Sequence, residues 1–186
     1  MAKKVAVLIG SLRKDSLTRK YAHAVAKLLP ATLEAEFIEL GDLPLYNQDL
    51  DDEGTPPAAW TAFREKLGAA DAVLFFTPEY NRTIPGALKN AIDVGSRPYG
   101  KSIWNGKPAA VVSQSPGAIG GFGANHNVRQ AVVFLNVPVM PAPELYIGNS
   151  ANLLAEDGSI ANEQSKQVFT QFAEAFGKWV ESNAKA

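Results

Sequence analysis

The sequence of 186 residues contains no cysteine. This absence excludes disulfide bonds, a catalytic thiolate, thiolate-bound zinc and iron–sulfur clusters held by cysteine. Histidine is also scarce, because only His23 and His126 occur. Neither histidine belongs to a sequence cluster with carboxylates, so we do not expect a metal site.

The chain has almost no net charge and no long hydrophobic run. Its 18 basic and 19 acidic residues leave a net charge of −1, which gives no strong attraction to nucleic acid. No apolar stretch approaches membrane-spanning length, and the start lacks the apolar region of a signal peptide. Hydrophobic residues, at 46%, suffice for a substantial core. We therefore expect a cytoplasmic protein, not inserted in a membrane, with one domain over residues 1–186.

Two common phosphate-binding motifs are missing. The sequence has no G-x-x-x-x-G-K-[ST] motif, and no G-x-G-x-x-G follows its first predicted strand. Neither a P-loop nucleotide hydrolase nor a dinucleotide-binding Rossmann domain is therefore expected.

Residues 5–19 indicate a different anion site. An apolar run ends at Gly10, a short polar loop follows, and a helix is predicted to begin near Ser16. The N–H groups at a helix start bind anions, since this end carries partial positive charge. Further donors come from the side chains of Ser11, Arg13, Ser16, Thr18 and Arg19. The loop suits a terminal monophosphate such as that of FMN, although an ordinary turn capped by Ser16 has the same pattern.

Strands and helices are predicted to alternate along the chain. Apolar spacing predicts helices over residues 16–29, 57–70, 86–94, 124–135 and 160–181. Strands are predicted over residues 5–9, 34–40, 71–77 and 108–113, with a fifth, proline-interrupted strand within residues 137–147 and a long loop over residues 41–57. The alternation predicts an α/β fold in which a doubly wound parallel sheet lies between two helix layers. Five strands favour the flavodoxin-like order 2-1-3-4-5.

Two further loops follow predicted strands of this sheet. Ligands bind beyond the carboxyl ends of such strands, and residues 77–86 and 113–123 leave the sheet there together with the first loop. Backbone groups of residues 79–81 and the Asn81 amide can serve a flavin ring, while Tyr80 can pack against its edge. Glycines in the third loop allow a flat ligand to approach the backbone. The second loop alone also fits a solvated tip, and a Gly-rich loop alone is weak evidence, but three such loops in this order indicate one site.

The motifs in these loops resemble those of a known family. GSLRKDS at residues 10–16, TPEYN at 77–81, PGALKNAID at 85–93 and SPGAIGG at 115–121 are similar to the NADPH-dependent FMN reductase family. Within that family the chain is most similar to bacterial quinone and chromate reductases. The resemblance covers nearly the whole chain and implies a flavodoxin-like subunit, bound FMN, and homodimers that often pair into homotetramers.

The resemblance also implies which residues bind the cofactor. The family's phosphate loop corresponds to Ser11, Leu12, Arg13, Ser16, Leu17 and Thr18. Its flavin-ring loop corresponds to Pro78, Glu79, Tyr80 and Asn81, and Ser115 corresponds to a further flavin contact. Position 15 is Asp where glycine is common in relatives, so we expect the Asp15 carboxylate to point to solvent.

These features together predict an FMN-containing oxidoreductase. Electrons would come from NADPH or NADH, and quinones would be reduced by two-electron hydride transfer, with chromate as a further acceptor. No catalytic side chain is expected, because atom N5 of the flavin accepts the hydride. Alternatives are an NAD(P)H:FMN reductase that releases free reduced flavin, an azoreductase, and a flavodoxin-type electron carrier. Such carriers are usually strongly acidic, so the charge of −1 favours an enzyme.

Aromatic residues give two further expectations. Tyr99, Trp104, Phe122 and Tyr146 occur in predicted loops or an edge strand, which suggests that a neighbouring subunit covers them beside the cofactor. The last helix carries Phe169, Phe172 and Phe176 at core spacing, which indicates packing against the sheet.

Overall fold

A computed structural model describes residues 1–184 of the chain. Within them, a parallel five-stranded sheet has the order β2-β1-β3-β4-β5, which confirms the predicted flavodoxin-like topology. The strands are β1 (Lys3–Ile9), β2 (Leu33–Ile38), β3 (Ala72–Pro78), β4 (Ala109–Gln114) and β5 (Leu145–Ile147). Strands β3 and β4 are almost continuously buried, in keeping with the apolar residues that fill most of their length.

Six α-helices and one 3₁₀ helix connect the strands over the same residues. The α-helices are α1 (Leu17–Ala26), α2 (Gln48–Asp52), α3 (Ala58–Gly68), α4 (Gly86–Gly95), α5 (Phe122–Val133) and α6 (Glu163–Asn183), and the 3₁₀ helix is Ser150–Asn152. Helix α2 was not predicted, because its five polar residues show no apolar period; Asn47 caps it by accepting from the Asp49 N–H at 3.1 Å. Strand β5 is short because prolines interrupt the chain before it.

The helices form one layer on each face of the sheet. Helices α3, α4 and α5 bury residues such as Trp60, Leu88 and Val128 against one face. Helices α1 and α6 bury Tyr21 and Phe172, among others, against the opposite face. Phe169 and Phe176 lie in the same core, so the prediction that the three phenylalanines of the last helix are packing residues is confirmed.

The prediction that Trp104 lies at a subunit surface is wrong. Its side chain is fully buried, and its indole N–H donates to the Ile92 carbonyl at 2.9 Å. The ring packs against Phe75 and lies directly over Gly95, where a Cβ would come within 2.6 Å of the indole nitrogen. Tyr99, five residues earlier, is 89% exposed. The sequence showed an aromatic residue in a loop, but not that this loop folds back over α4.

Over residues 1–184, no helix combines the length and apolar character that a membrane crossing requires.

Candidate active site

The loops that follow β1, β3 and β4 meet at one edge of the sheet. The Gly10 N–H donates to the Phe76 carbonyl at 2.8 Å, and Pro78 lies opposite Gln114 in the register of β3 and β4. A cavity of about 270 Å³ opens between the three loops. It is lined by Ser11, Arg13, Ser16, Leu17, Thr18, Pro78, Tyr80, Gln114, Ser115 and Pro116.

The first loop and the first turn of α1 bring three buried hydroxyl groups to this cavity. Ser11, Ser16 and Thr18 are only 4%, 3% and 2% exposed. Ser16 is the N-cap of α1, where its Oγ accepts from the Arg19 N–H at 3.1 Å. The cap that the sequence suggested is therefore present, and the capped helix start faces the cavity, where an anion is favoured.

Arg13 in the first loop and Arg19 in the first turn of α1 lie in different surroundings. Arg13 is exposed, lines the cavity and makes no ion pair within residues 1–184. Arg19 instead forms two hydrogen bonds of 2.7 Å with the Glu39 carboxylate, which hold the pKa of Glu39 below its ordinary value. The expectation that Arg19 adds charge to the anion site is therefore wrong, because the end of β2 places a carboxylate beside it. Asp15 is exposed, as expected.

The second loop turns sharply at residues 80–83. Tyr80 and Thr83 exchange two backbone hydrogen bonds of 3.0 and 2.9 Å. Asn81 and Arg82 between them have φ values of 50° and 65°, the left-handed pair of a type I′ turn. Pro78 and Tyr80 line the cavity, whereas Asn81 is exposed at the tip of the turn.

The Glu79 side chain joins the second loop to the third. Its carboxylate accepts from the Ala124 N–H at 3.0 Å, at the start of α5. The N-cap of that helix is Gly121, which has no side chain to cap it, so Glu79 supplies the missing acceptor. Gly123 makes room, because a Cβ there would lie 2.9 Å from the carboxylate and 2.6 Å from the Arg82 carbonyl oxygen.

The third loop supplies a buried amide as well as Ser115. The Gln114 side chain accepts from the Thr18 hydroxyl at 2.9 Å and donates to Ser150 Oγ at 2.5 Å. The Ser150 carbonyl accepts from the Tyr21 hydroxyl, and burial raises the pKa of Tyr21 to about 12, so this phenol is a neutral donor.

An aromatic group lies beside the third loop without lining the cavity. His126 Nε2 is 3.0 Å from the Tyr146 hydroxyl, and the Phe122 ring lies 4.2 Å from the His126 ring. Burial, together with the neighbouring Glu144 carboxylate, raises the pKa of Tyr146. Within residues 1–184 no three histidine, aspartate or glutamate side chains are close enough to hold a metal ion.

Comparison with known proteins identifies the family. The profile of the NADPH-dependent FMN reductases matches residues 3–152. The chain belongs to this family. It is 56% identical over 179 residues to a quinone reductase of Pseudomonas putida, with 96% of this chain and 95% of that protein covered. It is 41% identical over 180 residues to a 2-hydroxy-1,4-benzoquinone reductase of Burkholderia sp, with 97% of each chain covered.

A solved structure supports the same assignment for this reductase. The chain superposes on FerB, a flavoenzyme NAD(P)H:(acceptor) oxidoreductase from Paracoccus denitrificans, with a TM-score of 0.93 and 41% identity. The match covers 99% of this chain and 100% of FerB. The reductase is therefore an oxidoreductase that uses FMN and a reduced nicotinamide dinucleotide.

The donor set of the cavity fits the phosphate end of FMN. Three buried hydroxyl groups surround one cavity together with a helix N-terminus and the Arg13 guanidinium, which has no ion pair within residues 1–184. The helix N-terminus and the guanidinium favour an anion. Eight of the eleven predicted residues line it; Leu12, Glu79 and Asn81 lie outside the lining set. Sequence reasoning missed Gln114 and Pro116. For Gln114, the one signal in the sequence was a polar residue at the end of a buried strand. Pro116 gave no signal.

The hydrogen bond from the Ala124 N–H to Glu79 predicts that Glu79 stabilises the start of α5 and ties the second loop to the third. Glu79→Ala removes the acceptor at the start of α5 and is expected to lower the free energy of unfolding by about 0.5–2 kcal/mol. Glu79→Gln keeps an acceptor oxygen and should cost less. Urea denaturation of the apoproteins measures both. The exposed Glu174 of α6 provides the control, since Glu174→Ala should stay within about 0.5 kcal/mol of the parent. Equal stabilities of the Glu79→Ala and Glu174→Ala variants would contradict the capping role.

Proposed function

We propose that this protein is an FMN-dependent NAD(P)H:quinone oxidoreductase that reduces quinones by two electrons at a time. The observation that carries the proposal is the cavity at the ends of β1, β3 and β4, where buried hydroxyls and Arg13 surround one space. The two relatives, a quinone reductase and a 2-hydroxy-1,4-benzoquinone reductase, support the choice of acceptor. When bound, FMN supplies the centre that accepts hydride, its ring atom N5.

The roles of the chain's own residues follow from their positions. We assign the FMN phosphate to Ser11, Arg13, Ser16 and Thr18, together with the backbone around Leu12 and Leu17. Arg13 supplies the charge, and the hydroxyl groups supply neutral donors. We assign the flavin ring to the second and third loops, through Pro78, Glu79, Tyr80, Asn81 and Ser115. Glu79 acts by fixing the second loop, since its carboxylate is already bound to α5.

The phosphate assignment predicts a specific loss of FMN affinity in Arg13→Ala. Loss of a charge-assisted hydrogen bond costs about 1.5–3 kcal/mol, which is about ten- to a hundredfold in affinity. Quenching of flavin fluorescence by the apoprotein measures the dissociation constant. Riboflavin, which lacks the phosphate, should bind the variant and the parent equally. Lys14→Ala is the matched control, because Lys14 is the exposed neighbour outside the lining set. A Lys14→Ala loss as large as that of Arg13→Ala would contradict a specific phosphate contact.

The activity itself is tested with the purified protein and a panel of acceptors. Quinones, free FMN, an azo dye and chromate should each be assayed with NADH and with NADPH. We expect quinone turnover without added FMN, after gel filtration has removed unbound flavin. Turnover only when FMN is added would favour the free-flavin reductase, and no oxidation of either nicotinamide would favour the electron carrier.

The chemistry at flavin atom N5 also predicts the kinetic order. Nicotinamide and quinone each have to lie against the same face of the flavin ring to exchange electrons with N5, so donor and acceptor should occupy that face in turn. Initial rates against NAD(P)H at several fixed quinone concentrations should then give parallel double-reciprocal lines. Intersecting lines would show that donor and acceptor bind together, which would contradict binding in turn.

We also propose that the protein is a homodimer or a homotetramer. Phe122 is half exposed at the start of α5, beside the third loop, and Tyr99 is almost fully exposed in the connection between α4 and β4. Large exposed aromatics favour a partner surface. Light scattering at assay concentration should give two or four times the chain mass of 19.9 kDa. A fully active species of 19.9 kDa would rule the assembly out.

A further inference from the structure

A path of buried hydrogen bonds leads from the cavity into the core. Thr18 Oγ1 donates to Gln114 Oε1 at 2.9 Å, and Gln114 Nε2 donates to Ser150 Oγ at 2.5 Å. All three side chains are buried, while Thr18 and Gln114 also line the cavity. The Gln114 amide is therefore the link between the cavity wall and the 3₁₀ helix Ser150–Asn152.

The direction of the Thr18 hydroxyl matters for an anion in the cavity. A hydroxyl has one proton, and that of Thr18 is directed to Gln114. Thr18 then offers only lone pairs to the cavity. A phosphate offers acceptor oxygens as well, so the two groups would meet without a proton between them. A contact of this kind inside a buried site is unfavourable.

Reversal of the Gln114 amide removes the conflict. Half a turn about the last side-chain bond exchanges Oε1 and Nε2 in nearly the same space. Nε2 then donates to Thr18 Oγ1, and Oε1 accepts the proton of Ser150. Each group keeps a partner, and the Thr18 proton becomes available to a phosphate oxygen. An amide can do this because its donor and acceptor ends are almost identical in shape.

We propose that Gln114 is a positioning residue that sets the direction of the Thr18 hydroxyl, and that its amide reverses when the phosphate of FMN binds. The inference rests on the proposed FMN site. Gln114 then acts on the phosphate through Thr18, and the same reversal changes the hydrogen bond at Ser150. Methionine at this position would keep the length of the side chain but could not direct the hydroxyl.

A double-mutant cycle tests this coupling. FMN and riboflavin affinities are measured by fluorescence quenching for apoproteins carrying Thr18→Val, Gln114→Met and both substitutions. Each single variant should bind FMN about two- to tenfold more weakly, the range for one hydrogen bond, with riboflavin affinity unchanged within about twofold. Gln114→Met should have little further effect in the Thr18→Val background, since it acts through that hydroxyl. Gln167→Met, on the exposed face of α6, is the control and should bind both flavins like the parent.

A measurement on the unaltered chain gives a second readout. The two side-chain N–H signals of Gln114 in ¹⁵N-labelled apoprotein should shift on saturation with FMN and remain near their original positions with riboflavin. This experiment does not depend on whether a variant folds.

The outcomes separate this inference from the site assignment. Additive effects of Thr18→Val and Gln114→Met, an equal loss for riboflavin, or identical Gln114 signals with both flavins would overturn the role of Gln114 alone. Unchanged FMN affinity in Arg13→Ala would overturn the phosphate site, and the amide reversal with it.

Discussion

The register of the parallel sheet is the constraint on which the site depends. Strands β1, β3 and β4 run side by side, so their carboxyl ends reach one edge and release three loops into a common space. No single loop encloses a ligand. The first loop, with the start of α1, supplies buried hydroxyl groups, and the second loop supplies a tight turn. The third loop supplies the Gln114 amide and Ser115. A shift of one residue between β3 and β4 would separate Pro78 from Gln114 and remove the cavity wall.

Most polar groups at this edge are buried or half-buried, and burial favours a hydrogen-bond partner for each. The Thr18 hydroxyl donates to the Gln114 side chain. Ser16 accepts from an N–H at the start of α1, and Glu79 accepts from an N–H at the start of α5. Arg13 is different, because it is exposed and has no ion-pair partner within residues 1–184. Apart from the Gln114 amide, whose reversal is proposed above, the site thus combines groups already fixed by the fold with one charge left for a ligand. Such preorganisation reduces the ordering that binding has to impose.

The sequence predicted the sheet order and most of the cavity, since both follow from local patterns. Apolar strands alternating with amphipathic helices leave few topologies, and the loop motifs lie at their ends. What escaped prediction depends on contacts between distant segments. Arg19 pairs with Glu39 across two elements, Trp104 folds back over Gly95, and Glu79 reaches Ala124. Periodicity reports which face of an element is buried, but it does not report the partner that a charged or aromatic side chain meets.

The close packing of the third loop on β5 limits how this scaffold can diversify. A Cβ at Gly120 would come within 2.8 Å of the Tyr146 backbone, and one at Gly148 within 2.3 Å of the Ala118 carbonyl. The Ser115 N–H also donates to the Ile147 carbonyl at 3.0 Å. The backbone of the third loop therefore packs directly on the backbone of β5, with no side chains between them. Over evolutionary time, insertions and new specificities would accumulate in the first and second loops, while the third keeps its length and its glycines.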